Sequence, residues 1–102
     1  MNEIYLIQKL TDSTFKIGVS KNPKRRIKSV QTGNEGKLKI FCTYPSEYAY
    51  KIEKTLHRLY SHCKCEGEWY NISLVEAYDF NNMCKKIEES IIFLKNNDNI
   101  FI

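Results

Sequence analysis

Glycine, proline and tryptophan are scarce in this chain, with four, two and one among 102 residues. No internal repeat, low-complexity tract or Gly/Ser linker interrupts it, which excludes a repeat architecture and leaves about one domain with a modest core. No apolar run approaches the roughly 18 residues needed to cross a bilayer. The first twenty residues carry Glu3, Lys9, Asp12 and Lys16, so no signal-peptide core is read there, and a cytoplasmic protein without a membrane partner is expected. Cys42, Cys63, Cys65 and Cys84 lack the two-pair C-x-x-C spacing of a zinc framework and are expected as free thiols. The local set His57, His62, Cys63 and Cys65 does contain zinc-type ligands. Its spacing, with His62 directly before Cys63, would demand an unusual loop.

What is present is globular in character, with 42% hydrophobic and 13% aromatic residues. The net charge of +4 is unevenly spread: residues 1–39 hold nine Lys or Arg against three acids, and residues 40–102 hold seven against nine. A basic first third suits a polyanion such as nucleic acid. Taken alone, charge is read equally well as a solvated helix face. Lysines outnumber arginines thirteen to three, which directs attention to the three arginines.

Along the chain, Ile4 to Gln8 and Phe15 to Val19 are β-rich runs separated by the turn formers Thr11, Asp12 and Ser13, the pattern of a hairpin. Asn22 and Pro23 supply an N-cap and a first helical position for a short helix that stops at Gly33, with Ile27 and Val30 inward. Leu38 to Tyr44 reads as a third strand ending at Pro45. Ser46 is expected to cap a helix whose apolar positions Tyr48, Ala49, Ile52, Leu56, Leu59 and Tyr60 follow a 3.6-residue period. Trp69 to Ile72 is a short extended piece. One last helix, opened by Ser73 or Leu74, carries Phe80, Met83, Cys84, Ile87, Ile91 and Leu94 on one face. The expectation is an α+β domain: a small three-stranded antiparallel sheet flanked by helices over residues 1–74, with an additional C-terminal helix in 75–102 packed on the same domain.

Pairing of the first two strands would bring Tyr5 and Lys16 to one sheet face, near Arg25 and Arg26 of the following helix. Glu53 lies at the border of the next helix's apolar stripe, about 100° from Ile52, and His57 is one turn further on. A tyrosine, a lysine, an arginine and a carboxylate meeting there would make a phosphodiester-cleaving set.

These residues also match a known pattern. "IYLI", then "KIG", a basic helix with an Arg just before its apolar residue, "IEKTLH" and "EWYNI", in that order, resemble the GIY-YIG nuclease superfamily. The branch that reads KIG and ends in an EW-aromatic motif is the nearest in pattern; it holds small phage, viral and bacterial domains, including the meiotically-up-regulated-gene type. The resemblance covers about residues 3–74, with Glu3 where GIY has Gly and Lys16 where YIG has Tyr. It implies a GIY-YIG-like fold and a catalytic set of Tyr5, Lys16, Arg26, Glu53 and His57, with Asn71 as an additional member.

By the same resemblance, Glu53 would hold Mg²⁺ or Mn²⁺, completed by waters and phosphate oxygens. Tyr5 would be the general base, helped by the cation Lys16, and Arg26 would grip the scissile phosphate. Lys21, Lys24, Arg25 and Lys28 would hold flanking phosphates of DNA, with RNA also open. Lacking a sequence-reading module, such a nuclease would take specificity from a homodimer or a partner. Two other readings stand beside it: a catalytically silent nucleic-acid-binding module, and an anti-defence factor of a virus or mobile element.

Overall fold

The computed structural model describes residues 1–97; the remainder of the C-terminal segment expected for 75–102 lies outside the described residues. Strands β1 (Glu3–Lys9) and β2 (Thr14–Ser20) form an antiparallel hairpin. Its turn is closed by Asp12, whose carboxylate accepts from the Thr14 amide and hydroxyl, while Ser13 takes the left-handed conformation at φ 56°. Helix α1 (Pro23–Thr32) follows, with the Asn22 side chain accepting from the Arg25 amide at 3.1 Å, as its start signal requires. Next come β3 (Leu38–Pro45) and α2 (Ala49–Leu59), then a 3₁₀ turn (Ser61–Cys63) and β4 (Trp69–Tyr70). The described chain closes with α3 (Leu74–Tyr78) and α4 (Phe80–Asn96).

The fold is α+β as expected, but the sheet has four strands in the order β3-β1-β2-β4. The extended piece after Gly67 pairs with β2, Phe15 opposite Tyr70 and Lys16 opposite Trp69. Two residues are too few to announce a strand in sequence. The single last helix expected from Ser73 onward is divided at Asp79: a capping box between Ser73 and Glu76 starts α3, and Asp79 alone separates its end from the start of α4. Ser46 does not cap α2, whose N-cap position is Tyr48. Instead the buried Ser46 hydroxyl accepts from the Tyr48 amide and donates to Glu88 of α4. Glu88 also accepts from the Tyr44 hydroxyl at 2.7 Å, which fastens α4 to the end of β3. Leu59, placed inward by periodicity, faces solvent.

Strand alternation sorts side chains onto two faces. Ile4, Leu6, Phe15 and Ile17 pack against Ala49, Ile52 and Leu56 of α2 and Phe80, Cys84, Ile87 and Ile91 of α4. The opposite face carries a smaller cluster, Tyr5, Ile7 and Leu38, covered by Ile27 and Val30 of α1 together with Ile40 and Trp69. A bulge in β3 serves this division. Register with β1 shifts between Leu6 and Ile7, which face Cys42 and Ile40. The extra residue, Phe41, therefore packs on the larger core beside Cys42, edge-on to Phe15 at 5.5 Å.

Tyr5 and Gly18 face one another across the hairpin. A Cβ at Gly18 would lie 2.2 Å from the Tyr5 hydroxyl oxygen and 2.3 Å from Cζ, so the ring occupies the space that only glycine leaves. Gly18→Ala is expected to cost about 1–3 kcal/mol in chemical denaturation, the scale of an overpacked core. Combining it with Tyr5→Leu, which removes the ring tip, should recover much of that loss; strictly additive losses would show that the two positions do not collide.

Acids of raised pKa make a second expectation. Burial pushes the Cys42 thiol up to about 11 and, with the charges of Cys42 and Glu88, the Cys84 thiol up to about 12. Burial and the bond to Glu88 raise the Tyr44 phenol to about 12. The folded chain therefore keeps protons that the unfolded chain releases near the ordinary values of 9.0 and 10.0. Their stabilising effect is complete below those values and lost as pH rises through 11 and 12. Denaturation midpoints should fall across this alkaline window, and Tyr44→Phe should flatten the fall between pH 10 and 12.

Candidate active site

Lys16, on β2, points to the sheet face that holds Tyr5 and Ile7, opposite Ile7 in the register. Tyr5 and Lys16 are thus diagonal neighbours across the hairpin, on the order of 7 Å apart at Cβ and within reach of a long side chain. The Tyr5 ring is 2% exposed. Among the described residues its hydroxyl makes no hydrogen bond, yet no buried side-chain nitrogen or oxygen is left without a partner. The small exposed part of Tyr5 therefore includes its oxygen, and the phenol is fixed by its ring while its reactive atom meets solvent.

Beside it lies an open groove of about 570 Å³ whose lining includes Lys9, Lys16, Arg26, Glu66, Glu68 and Trp69. Lys16 reaches it from the sheet and Arg26 from α1. Arg26 belongs as well to a second groove, on the outer side of α1, shared with Lys21, Arg25 and Lys28. Lys24 is separated from Arg25, Arg26 and Lys28. It lines a third depression with Glu3, Lys21, Ile40 and Thr43, because one helical step of about 100° carries it round to the β3 side; Lys21 borders both depressions.

Glu53 and His57 sit one turn apart on α2, with Glu53 Oε2 3.7 Å from His57 Nε2. They do not line the groove of Lys16 and Arg26, since α2 covers the other sheet face. The link between the two halves is β4 and the turn before it. Tyr70 is buried at 3% exposure, yet its hydroxyl meets His57 Nδ1 at 2.5 Å. Burial, then the negative charges of Cys63, Glu68 and Glu53, raise the Tyr70 phenol above its ordinary value, so it stays protonated. Glu68, one position before β4, hydrogen-bonds the Lys16 ammonium. That bond, followed by the charge of Lys16 and the weaker fields of Arg26 and His57, holds its carboxyl below the usual range. Glu68 therefore stands between the cations on one face and His57 on the other. The sequence motif EWYNI includes Glu68 but assigns it no role, because an acid beside a glycine in a turn reads as loop charge.

The turn itself is a tight loop. Cys65 N donates to Trp69 O at 2.7 Å, Trp69 N to Glu66 O at 3.3 Å, and Gly67 at the tip has φ +64°. Asn71 is exposed and contributes its backbone N–H to Cys63 O at 2.8 Å; its side chain makes no hydrogen bond among the described residues. The zinc-type set does not converge. Cys63 Sγ donates to Tyr60 O and Cys65 Sγ to Cys63 O, Tyr70 takes His57 Nδ1, and no group of three or more His, Cys, Asp or Glu able to hold a metal forms among the described residues. No helix of the described residues is long and apolar enough to cross a membrane.

Residues 3–88 match the family described as the T5orf172 domain, a phage-associated domain among nuclease-related families. The match runs past residue 74, where the motif resemblance stops, and takes in the first half of α4 as far as Glu88. No curated protein and no solved structure matches the chain.

Proposed function

Because the chain belongs to the T5orf172 domain family, we propose that it is a divalent-metal-dependent endonuclease of GIY-YIG type, hydrolysing phosphodiester bonds in DNA. One observation carries the reading: Lys16 and Arg26 line a single groove on the sheet face that also holds Tyr5, a buried residue whose small exposed part includes its oxygen. A module that merely binds nucleic acid has use for the two cations but none for a phenol held in that way.

Hydrolysis requires a deprotonated water, neutralisation of the charge that builds on the phosphorus oxygens, and help for the departing oxygen. Tyr5 takes the proton of the attacking water, and the Lys16 ammonium on the same face meets the phosphate. Arg26 presents a planar fork to the non-bridging oxygens of the scissile phosphate. Glu53 is the carboxylate to hold Mg²⁺ or Mn²⁺. One half-buried carboxylate, with no cage of further acids around it among the described residues, suits an ion that keeps its waters and is completed by substrate phosphates. Such an ion, when bound, supplies charge relief at the leaving oxygen. His57, anchored by Tyr70, holds Glu53 in place from one turn away. Arg25, Lys28 and Lys21, on the outer groove, hold flanking phosphates.

The direct test incubates the protein with labelled DNA and RNA in Mg²⁺, Mn²⁺ or EDTA. Glu53→Gln is expected to abolish cleavage while leaving fold and DNA affinity nearly intact; a fully active variant would remove the proposed metal site. Arg26→Ala should lose about 10²-fold or more in single-turnover rate at saturating substrate, as for a lost transition-state contact. Arg26→Lys should recover little of it. Arg25→Ala should weaken binding only a few-fold, as befits a peripheral charge.

Binding can be examined apart from chemistry. Changing Lys21, Arg25 and Lys28 together to Gln should lower the slope of log K against log salt by about 2.7, at roughly 0.9 per phosphate on duplex DNA. Lys24→Gln alone should leave the slope nearly unchanged, since Lys24, unlike Lys21, Arg25 and Lys28, does not line the outer groove; an equal loss per charge at Lys24 would mean that DNA crosses the β3 side of α1 as well.

A further inference from the structure

Three cations line the groove, and two of them already have partners. The Lys9 ammonium sits 4.3 Å from the centre of the Trp69 ring, and Lys16 is bonded to Glu68. Arg26 makes no ion pair among the described residues. An anion entering the groove therefore meets one unengaged cation and a carboxylate lying on the second.

We propose that Glu68 is the resident anion of this groove: in the free protein its carboxylate occupies the Lys16 ammonium, and a phosphate of the substrate takes its place. The identity of that phosphate as part of a nucleic acid rests on the reading above. The exchange itself rests on the asymmetry of the pair. The Lys16 side chain is 11% exposed and the Glu68 side chain 77%, so the cation is held in the wall and the anion is free to swing. Glu68 stands next to Gly67, at the tip of a turn whose described hydrogen bonds are confined to its own ends. The carboxyl, held below the usual range, is an anion at neutral and mildly acidic pH.

The pair is open to solvent at its carboxylate end, where water screens it and the side chain loses entropy by staying in place, so it is easily given up. A phosphate that bridges Lys16 and Arg26 forms charge-assisted bonds to both and displaces it. Trading one anion for another also spares the cost of holding an ammonium group unpaired in the groove wall. Glu66 lies in the same groove, so an anion reaching only one cation meets two negative groups and gains little. The pair therefore selects for phosphates that engage Lys16 and Arg26 together.

The exchange leaves a thermodynamic signature. While Glu68 must be expelled, Lys16 delivers no net charge to the polyanion and releases no counterion on its behalf. Glu68→Gln restores that charge. Binding of a short DNA duplex by the full chain in EDTA should then steepen in salt dependence by about 0.9 in the log–log slope, and tighten about five-fold at moderate salt, the scale of one exposed ion pair. In a Lys16→Gln background the same change should leave the slope where it was. An unchanged or shallower slope in Glu68→Gln, or equal steepening without Lys16, overturns the proposal.

A second arm needs no variant. Inorganic pyrophosphate titrated into the wild-type chain should shift the side-chain NMR signals of Lys16 and Glu68 together as the pair separates. Signals that stay fixed while pyrophosphate is in excess overturn the exchange. Separation by pyrophosphate in a chain that binds neither DNA nor RNA would instead sink the nuclease reading and leave this one standing.

Discussion

A tyrosine ring lying over a glycine on the neighbouring strand decides what can be built on this sheet. Because Tyr5 fills the space above Gly18, the first two strands cannot slip by one residue without driving the ring into a side chain or turning it to the opposite core. With the register fixed, Lys16 falls on the Tyr5 face and Phe15 and Ile17 on the other. The helix that follows β2 then has to cover Tyr5, Ile7 and Leu38, and does so with Ile27 and Val30. Arg26 stands one position before Ile27, at the seam between apolar cover and solvent. Charge, aromatic and cover are thus consequences of one close contact rather than separate placements.

The site is assembled across a sheet rather than on one side of it. Cations and phenol belong to the α1 face, while Glu53 and His57 belong to α2 on the other. They come within each other's fields only around the free edge of β2, where the two-residue β4 carries Tyr70 toward His57 and Glu68 toward Lys16. A wide, regular sheet would have kept these groups apart. The shortness of β4 leaves the edge open, and the bond from Asn71 N to Cys63 O ties its far end to the 3₁₀ turn after α2.

Local signals carried most of the fold. Asn22 and Pro23 announce α1, the polar turn after Lys9 announces the hairpin, and the 3.6-residue pattern from Ala49 announces α2, because each works through hydrogen bonds or sterics within a few residues. Contacts made at long range were not legible. Nothing near Trp69 states that it will pair with Lys16. The division at Asp79 carries no glycine or proline, so the apolar period reads straight through it. Ser46 looks like a cap from its neighbours alone; only Glu88, forty-two residues on, claims its hydroxyl. Among the candidate site residues, the positions of Tyr5, Lys16 and Arg26 were legible through strand alternation and helical rotation. Glu68 and the polar end of Tyr70 were not, since their partners are set by the closing of β4.

The chain's single tryptophan is Trp69, half-buried in the wall of the groove and capped by the Lys9 ammonium. Its indole shares that wall with Glu68 and stands opposite Lys16 in the strand register. With excitation at the red edge, where the seven tyrosines barely absorb, the emission therefore arises beside the candidate site, from a chromophore whose quenching depends on the nearby charges. Occupancy of the groove, and any opening of the short edge strand, are open to observation by stopped-flow fluorescence without a label.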